Sequence, residues 1–196
     1  MKNIRQGLFE TNSSSQHTLV VTDRSFDADH KYLDKYLVTD SKGRIHFSLD
    51  EYGWEQYWIR GIYEKIAYAL TYAFYMHLPM SSAKATDIAN DIWNGTATDD
   101  YEDLTELFEF IKRHLMYEYD SIVISGAEDA YIDHQSYFGS LSSFLSSAVS
   151  ENNAPITLEE YVFNSDVMLR ISNDNEEDYE LDRVIDEIRN NQKCEE

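Results

Sequence analysis

Apolar residues recur with two different periods along this chain, and the changes of period mark its elements. Residues 3–9 (NIRQGLF) and 17–22 (HTLVVT) are short runs of branched and aliphatic residues, the pattern of two strands. The polar stretch from Glu10 to His17 lies between them and predicts a turn, with Asn12 and the serines able to bond their own backbone. RSFDADHKYLDKYL places Asp27 ahead of Tyr32, Leu33, Tyr36 and Leu37, which predicts a short amphipathic helix. RIHFSL alternates after a DSKG turn and predicts a strand.

The period lengthens from Ser48. Trp54, Trp58, Ile62, Ile66, Leu70, Ala73 and Met76 stand three or four apart, so Leu49 to Leu78 reads as one long helix, or two broken near Gly61, ended by Pro79. SSAKATDIANDIW predicts a helix capped by Ser81 or Ser82 and stopped at Gly95. TDDYEDLTELFEFIKRHLMYEY predicts another, with Thr98 as cap, acids in the first turn, and Lys112, Arg113 and His114 near the end. SIVIS is a short buried strand, and YIDHQS starts as a strand and leaves it at the polar tetrad. GSLSSFLSSAVS is a serine-rich helix, and Thr157 with Glu160 has capping-box spacing. DVMLRIS predicts a last strand, and DYELDRVIDEIRNN a helix with Leu181, Val184, Ile185 and Ile188 on its apolar side. Strands and helices mix without regular βα alternation, so the expected class is α+β, a small mixed or antiparallel sheet packed with several helices.

Composition narrows the picture. The 196 residues suit a single domain, and two prolines leave little room for linkers. The longest apolar stretch, Ile66 to Leu78, is shorter than the roughly 20 residues a membrane helix needs. With no signal-peptide pattern at the N-terminus, the expected location is the cytoplasm, with no membrane partner. The lone Cys194 excludes an internal disulfide and a cysteine metal site.

Charge divides the chain. Residues 1–80 are nearly neutral at −1, whereas residues 81–196 carry −20 of the total −21. Such a chain repels a phosphate backbone, so direct nucleic-acid binding is not expected. The acids are either a solvated surface or a face for a basic partner, drawn in by long-range attraction. Asp99, Asp100, Glu102, Asp103, Glu106 and Glu109 are the candidate binding residues on that face.

Two polar clusters carry the candidate chemistry, Glu10-Thr-Asn-Ser-Ser-Ser-Gln-His17 and Asp133-His-Gln-Ser136. Glu10, Ser13, Ser14, Ser15, His17, Asp133 and His134 supply the nucleophile, base and orienting carboxylate of acyl-transfer chemistry if they meet. Asn12, Gln135 and Ser136 would then bind substrate. NSSSQH lacks the glycines of a nucleophile elbow. The same groups are equally a hydrogen-bonded turn and structural histidines. Two histidines with Glu10 or Asp133 would suit a facial metal site, but no spacing matches a metal motif, and no metal is assigned. No cofactor is indicated. His30, His46, His77 and His114 fall inside helix or strand patterns and receive no role, while Tyr52, Tyr57, Tyr63, Tyr101 and Tyr117 are candidates for an outer surface.

IRQGLFETNSSSQHTLVV resembles the N-terminus of a set of uncharacterised proteins from phages and prophages of Gram-positive bacteria. Their opening reads approximately I-R-x-G-V-F-E-T-N-S-S-S-x-H-S-L, with Leu8 and Thr18 here as mild departures. YIDHQS is similar to a second tetrad in such proteins. The resemblance implies a phage-related origin and a shared site at Glu10, Asn12, Ser13, Ser14, Ser15 and His17, without supplying a mechanism.

The first expectation for function is therefore an acidic phage- or prophage-encoded inhibitor in the host cytoplasm. It would bind a basic host protein, such as a nucleic-acid-binding defence enzyme, as an anti-CRISPR or other anti-defence factor. The alternative is a small hydrolase or group-transfer enzyme built from the ETNSSSQH and DHQS clusters. A third reading makes the N-terminal motif a fold signature of a module that binds its partner elsewhere.

Overall fold

A computed structural model describes residues 15–26, 31–53, 57–133, 138–150, 154–173 and 179–192. Among these, strands β1 (Ser15–Val21), β8 (Val167–Asn173) and β5 (Tyr57–Ile59) form an antiparallel sheet in the order β1-β8-β5. A second sheet runs β2 (Val38–Thr39), β3 (Ile45–Ser48), β6 (Ile122–Ser125), antiparallel at its first pair and parallel at its second. The parallel ladder resumes after an interruption as β4 (Glu51–Tyr52) beside β7 (Tyr131–Ile132). Gly126 makes the interruption possible: its φ is +75°, and a Cβ there would lie 2.3 Å from the Leu49 carbonyl oxygen. The helices are α1 (Ile62–Phe74), α2 (Ser82–Trp93), α3 (Glu102–Arg113), α4 (Leu141–Ser146), α5 (Leu158–Phe163) and α6 (Tyr179–Gln192). The class is α+β, and none of the described helices is long and apolar enough to cross a membrane.

Helix α1 is the centre of the core. Every residue from Lys65 to Tyr72 is buried, so these two turns have no solvated face. Leu19, Val21, Leu169 and Ile171 on one face of the antiparallel sheet belong to the same core cluster as Ile66 and Leu70. The opposite face of that sheet meets α6, where Val20 and Leu181 are buried and Trp58, Val184 and Ile185 pack against them.

Sheet edges are closed by side chains as well as strands. The outer edge of β6 meets α2: Asn90 Nδ2 donates to the Ile122 carbonyl, and the Ile122 amide donates back to Asn90 Oδ1, both at 2.9 Å. Thr86 Oγ1 does the same for Ile124, accepting its amide at 2.9 Å and donating to its carbonyl at 3.1 Å. Paired this way, the backbone of β6 does not template another strand. Helix α5 starts on the expected capping box, since Thr157 Oγ1 accepts from the Glu160 amide and Glu160 Oε2 from the Thr157 amide. Arg24 fixes that same Glu160 carboxylate at 3.0 Å and donates to the Pro155 carbonyl.

Several expectations change. Among the described residues of Leu49–Leu78, β4 and β5 stand before Gly61 in place of helix, and α1 begins at Ile62. Trp58 sits in β5 at a position that also fits a helical period with Ile62 and Ile66. Residues 33–36 form a turn, not a helix; Leu33 and Leu37 are buried, and Asp34 accepts the Met116 amide at 2.7 Å. Helix α3 begins at Glu102 after Tyr101, so Thr98 does not cap it. Residues 3–9 lie outside the described residues, and β1 takes β8 as its partner.

Candidate functional site

Strand β1 presents Ser15, His17, Leu19 and Val21 on one face, because alternate residues of a strand point the same way. Leu19 and Val21 enter the core, and Ser15 and His17 continue that face as its polar end. Ser15 Oγ lies 3.0 Å from His17 Nε2, and His17 Nδ1 lies 2.8 Å from the Tyr68 hydroxyl. Asp133, one residue beyond β7, accepts the Ser15 amide on Oδ2 at 2.9 Å. The two polar clusters of the sequence therefore meet through Ser15, His17 and Asp133. His17 lies in the expected strand, which begins two residues earlier and so takes Ser15 out of the expected turn. Glu10, Asn12, Ser13, Ser14, His134, Gln135 and Ser136 lie outside the described residues.

All four groups are shielded: Ser15 and His17 are each 4% exposed, Asp133 6%, and Tyr68 is fully buried. Burial pushes the His17 imidazole down to about 4, opposed by attraction from the Asp133 carboxylate. His17 is thus neutral at pH 7, with one ring nitrogen as donor and the other as acceptor. Aromatic packing fixes the phenol behind it. The Tyr68 ring meets Tyr52 edge-on at 4.9 Å and lies 5.4 Å from Phe144 and 6.2 Å from Tyr72. Tyr52 is buried, contrary to its expected surface position, whereas Tyr117 is exposed as expected. Sequence reading missed Tyr68 because it sits in IAYALTYAF, where apolar spacing marks core and nothing marks a hydroxyl for use.

The parallel strands β4 and β7 both end here, at Tyr52 and just before Asp133. Among the described residues, no group of three or more His, Cys, Asp or Glu could hold a metal ion.

The acidic residues form a separate surface. Asp99, Asp100, Glu102, Glu106 and Glu109 are exposed and Asp103 is half-buried, all on or just before α3. Although Glu106 is exposed as a residue, partial desolvation of its carboxyl, followed by the charges of Asp103 and Glu102, pushes that carboxyl up. The Asp103 carboxyl is also raised, mainly by burial, although it accepts the Leu141 amide at 3.0 Å. Two open grooves, of about 420 and 310 Å³, meet at Asp100 and Tyr101. Met76, 69% exposed, lines the smaller one.

No protein-family model, curated protein or solved structure matches this chain.

Proposed function

We propose that Ser15, His17, Tyr68 and Asp133 form the centre of a small hydrolase or group-transfer enzyme. The observation that carries this reading is the 3.0 Å approach of Ser15 Oγ to His17 Nε2, with the imidazole neutral and held from behind. In the step this arrangement suits, Ser15 Oγ attacks an acyl or phosphoryl centre while its proton passes to Nε2. The leaving group then departs with that proton, and Asp133 favours the transient imidazolium. The low exposure of the groups strengthens each of these electrostatic effects. A fluorophosphonate probe tests the reading: Oγ–P bond formation expels fluoride and leaves a stable adduct on the serine. Labelling of Ser15 that disappears in Ser15→Ala and His17→Gln is the expected result. Absence of labelling, with no turnover of p-nitrophenyl acetate or p-nitrophenyl phosphate, counts decisively against it.

The raised carboxyls on α3 favour a second reading, a docking face for a basic protein. Carboxylates that crowd and desolvate one another gain most when a cationic surface covers them. The resemblance of the N-terminal motif to phage proteins supports an anti-defence role for that partner surface, with a nucleic-acid-binding host enzyme as target. Binding to purified basic nucleases would be measured at 50 and 500 mM salt, with Glu106→Lys/Glu109→Lys as the control. Affinity that ignores both salt and charge reversal removes the electrostatic basis of this reading.

A further inference from the structure

We infer that Tyr68 is a positioning residue: its phenol oxygen accepts the Nδ1 proton of His17 and so turns the Nε2 lone pair toward Ser15. The inference rests on the hydrolase or transferase reading for its consequence, but the tautomer it assigns can be observed without any substrate.

A neutral imidazole has one N–H and one lone pair, so the partner at one nitrogen decides what the other can do. His17 has an oxygen at each nitrogen, Tyr68 at 2.8 Å from Nδ1 and Ser15 at 3.0 Å from Nε2. Serine activation needs Nε2 as acceptor, which places the proton on Nδ1 and makes the phenol oxygen its acceptor. In hydrolase triads a carboxylate usually stands at this position and stabilises the imidazolium. A phenol in its place orients the ring without a charge. Here the carboxylate, Asp133, is anchored on the Ser15 amide instead.

The fold holds Tyr68 rigidly enough for this work. Its ring is closed in by Tyr52, Tyr72 and Phe144, and its hydroxyl stands 2.8 Å from His17 Nδ1. Helix α1 carries it on a turn buried on all sides, across the core from β1. Precision of this kind separates an orienting group from a chance contact.

Nitrogen-15 NMR of the full chain, labelled at histidine, reads the tautomer directly. The expected spectrum at pH 7 shows His17 protonated at Nδ1. In Tyr68→Phe the acceptor is gone, so the proton moves to Nε2 and donates to Ser15. The rate of Ser15 labelling by the fluorophosphonate probe should then fall on the order of 10²-fold, the lower end of what a general base contributes. A wild-type imidazole protonated at Nε2, or a Tyr68→Phe imidazole still protonated at Nδ1, overturns the inference. If the variant does not fold, 3-fluorotyrosine at position 68 keeps the shape and weakens the acceptor. A displaced Nδ1 proton resonance then supports the inference, and an unmoved one overturns it. Should the wild type show the Nδ1 tautomer but no Ser15 labelling, the positioning by Tyr68 stands and the enzymatic reading falls.

Discussion

Ser15 and Asp133 stand 118 residues apart in the chain, and the amide of one donates to the carboxylate of the other at 2.9 Å. This bond joins the edge of the antiparallel sheet to the end of the parallel ladder. Farther along the same edge, Val149 takes over, accepting the Val21 amide and donating to the Leu19 carbonyl.

The first prediction concerns that junction. Asp133→Ala removes a buried acceptor and should lower stability by about 1–3 kcal/mol. Asp133→Asn keeps an acceptor oxygen and should lose less. Both remove the charge that pulls the His17 pKa upward, so the imidazole should titrate below its wild-type value of about 4. Urea denaturation and an NMR pH titration check the two halves. An Asp133→Ala protein as stable as wild type would show that the bond is incidental.

A second prediction follows from His17 itself. Its pKa is near 6.5 in the unfolded chain and about 4 in the folded one. Between those values the unfolded state binds more protons, so stability rises with pH across the window and falls as pH drops. The contribution is fully present above pH 6.5 and lost by about pH 4, on the order of 3 kcal/mol. His17→Gln should flatten this part of the stability profile. If urea midpoints between pH 4 and 6.5 shift equally in wild type and variant, His17 is not the group responsible.

Some of this structure was legible in the sequence, and the parts that were not share a cause. Helix boundaries set by local chemistry were readable, as at Thr157 with Glu160 and at Ser81, whose hydroxyl accepts the Lys84 amide. The strands Ser15–Val21, Ile122–Ser125 and Val167–Asn173 were visible as apolar runs. Across Leu49–Ile59 the helical period misleads, because the strand residue Trp58 falls at helical spacing from Ile62 and Ile66. The pairing of β1 with β8 depends on residues about 150 apart, which no local pattern encodes. In the site, Ser15, His17 and Asp133 stood out as clustered polar residues. Tyr68 did not, because a tyrosine in an apolar run is outwardly a core residue until its hydroxyl finds a partner.

Lys65 offers a third test. It is fully buried on α1, and its Nζ donates to the Asn164 carbonyl at 2.8 Å. Burial pulls its pKa down to about 8, opposed by the Asp166 charge. Between pH 8 and about 10.5 the unfolded state binds the extra proton, so stability should rise with pH there by on the order of 3 kcal/mol. Lys65→Met removes the charge at similar volume. It should remain within about 1 kcal/mol of wild type at pH 7, since apolar replacements of buried charges are often neutral or better. The rise above pH 8 should vanish in the variant, a comparison that denaturation at pH 7 and pH 10 makes directly.

Edge closure by α2 gives a fourth. Asn90→Leu leaves the Ile122 amide and carbonyl without their side-chain partners, and Thr86→Val does the same for Ile124. Each should lose about 1–3 kcal/mol. The double variant should also associate at high concentration, because the edge of β6 is no longer paired. Light scattering that finds the double variant no larger than wild type would deny the edge a protective role.

The acidic face of α3 gives the last. Glu106 has its carboxyl raised by burial and by its neighbours Asp103 and Glu102, while Arg113 pulls the other way. An acid whose pKa rises on folding binds more protons in the folded state, so stability should increase as pH falls toward its titration. Glu106→Gln removes the repulsion without changing the shape and should raise Tm at low salt. The gain should shrink at 0.3 M salt, where exposed charges are screened within a few ångströms. Glu109 lies on the same helix, so Glu109→Gln serves as the comparison. Equal Tm changes for the two variants, or a Glu106→Gln gain that survives added salt, would show that α3 carries its acids without strain.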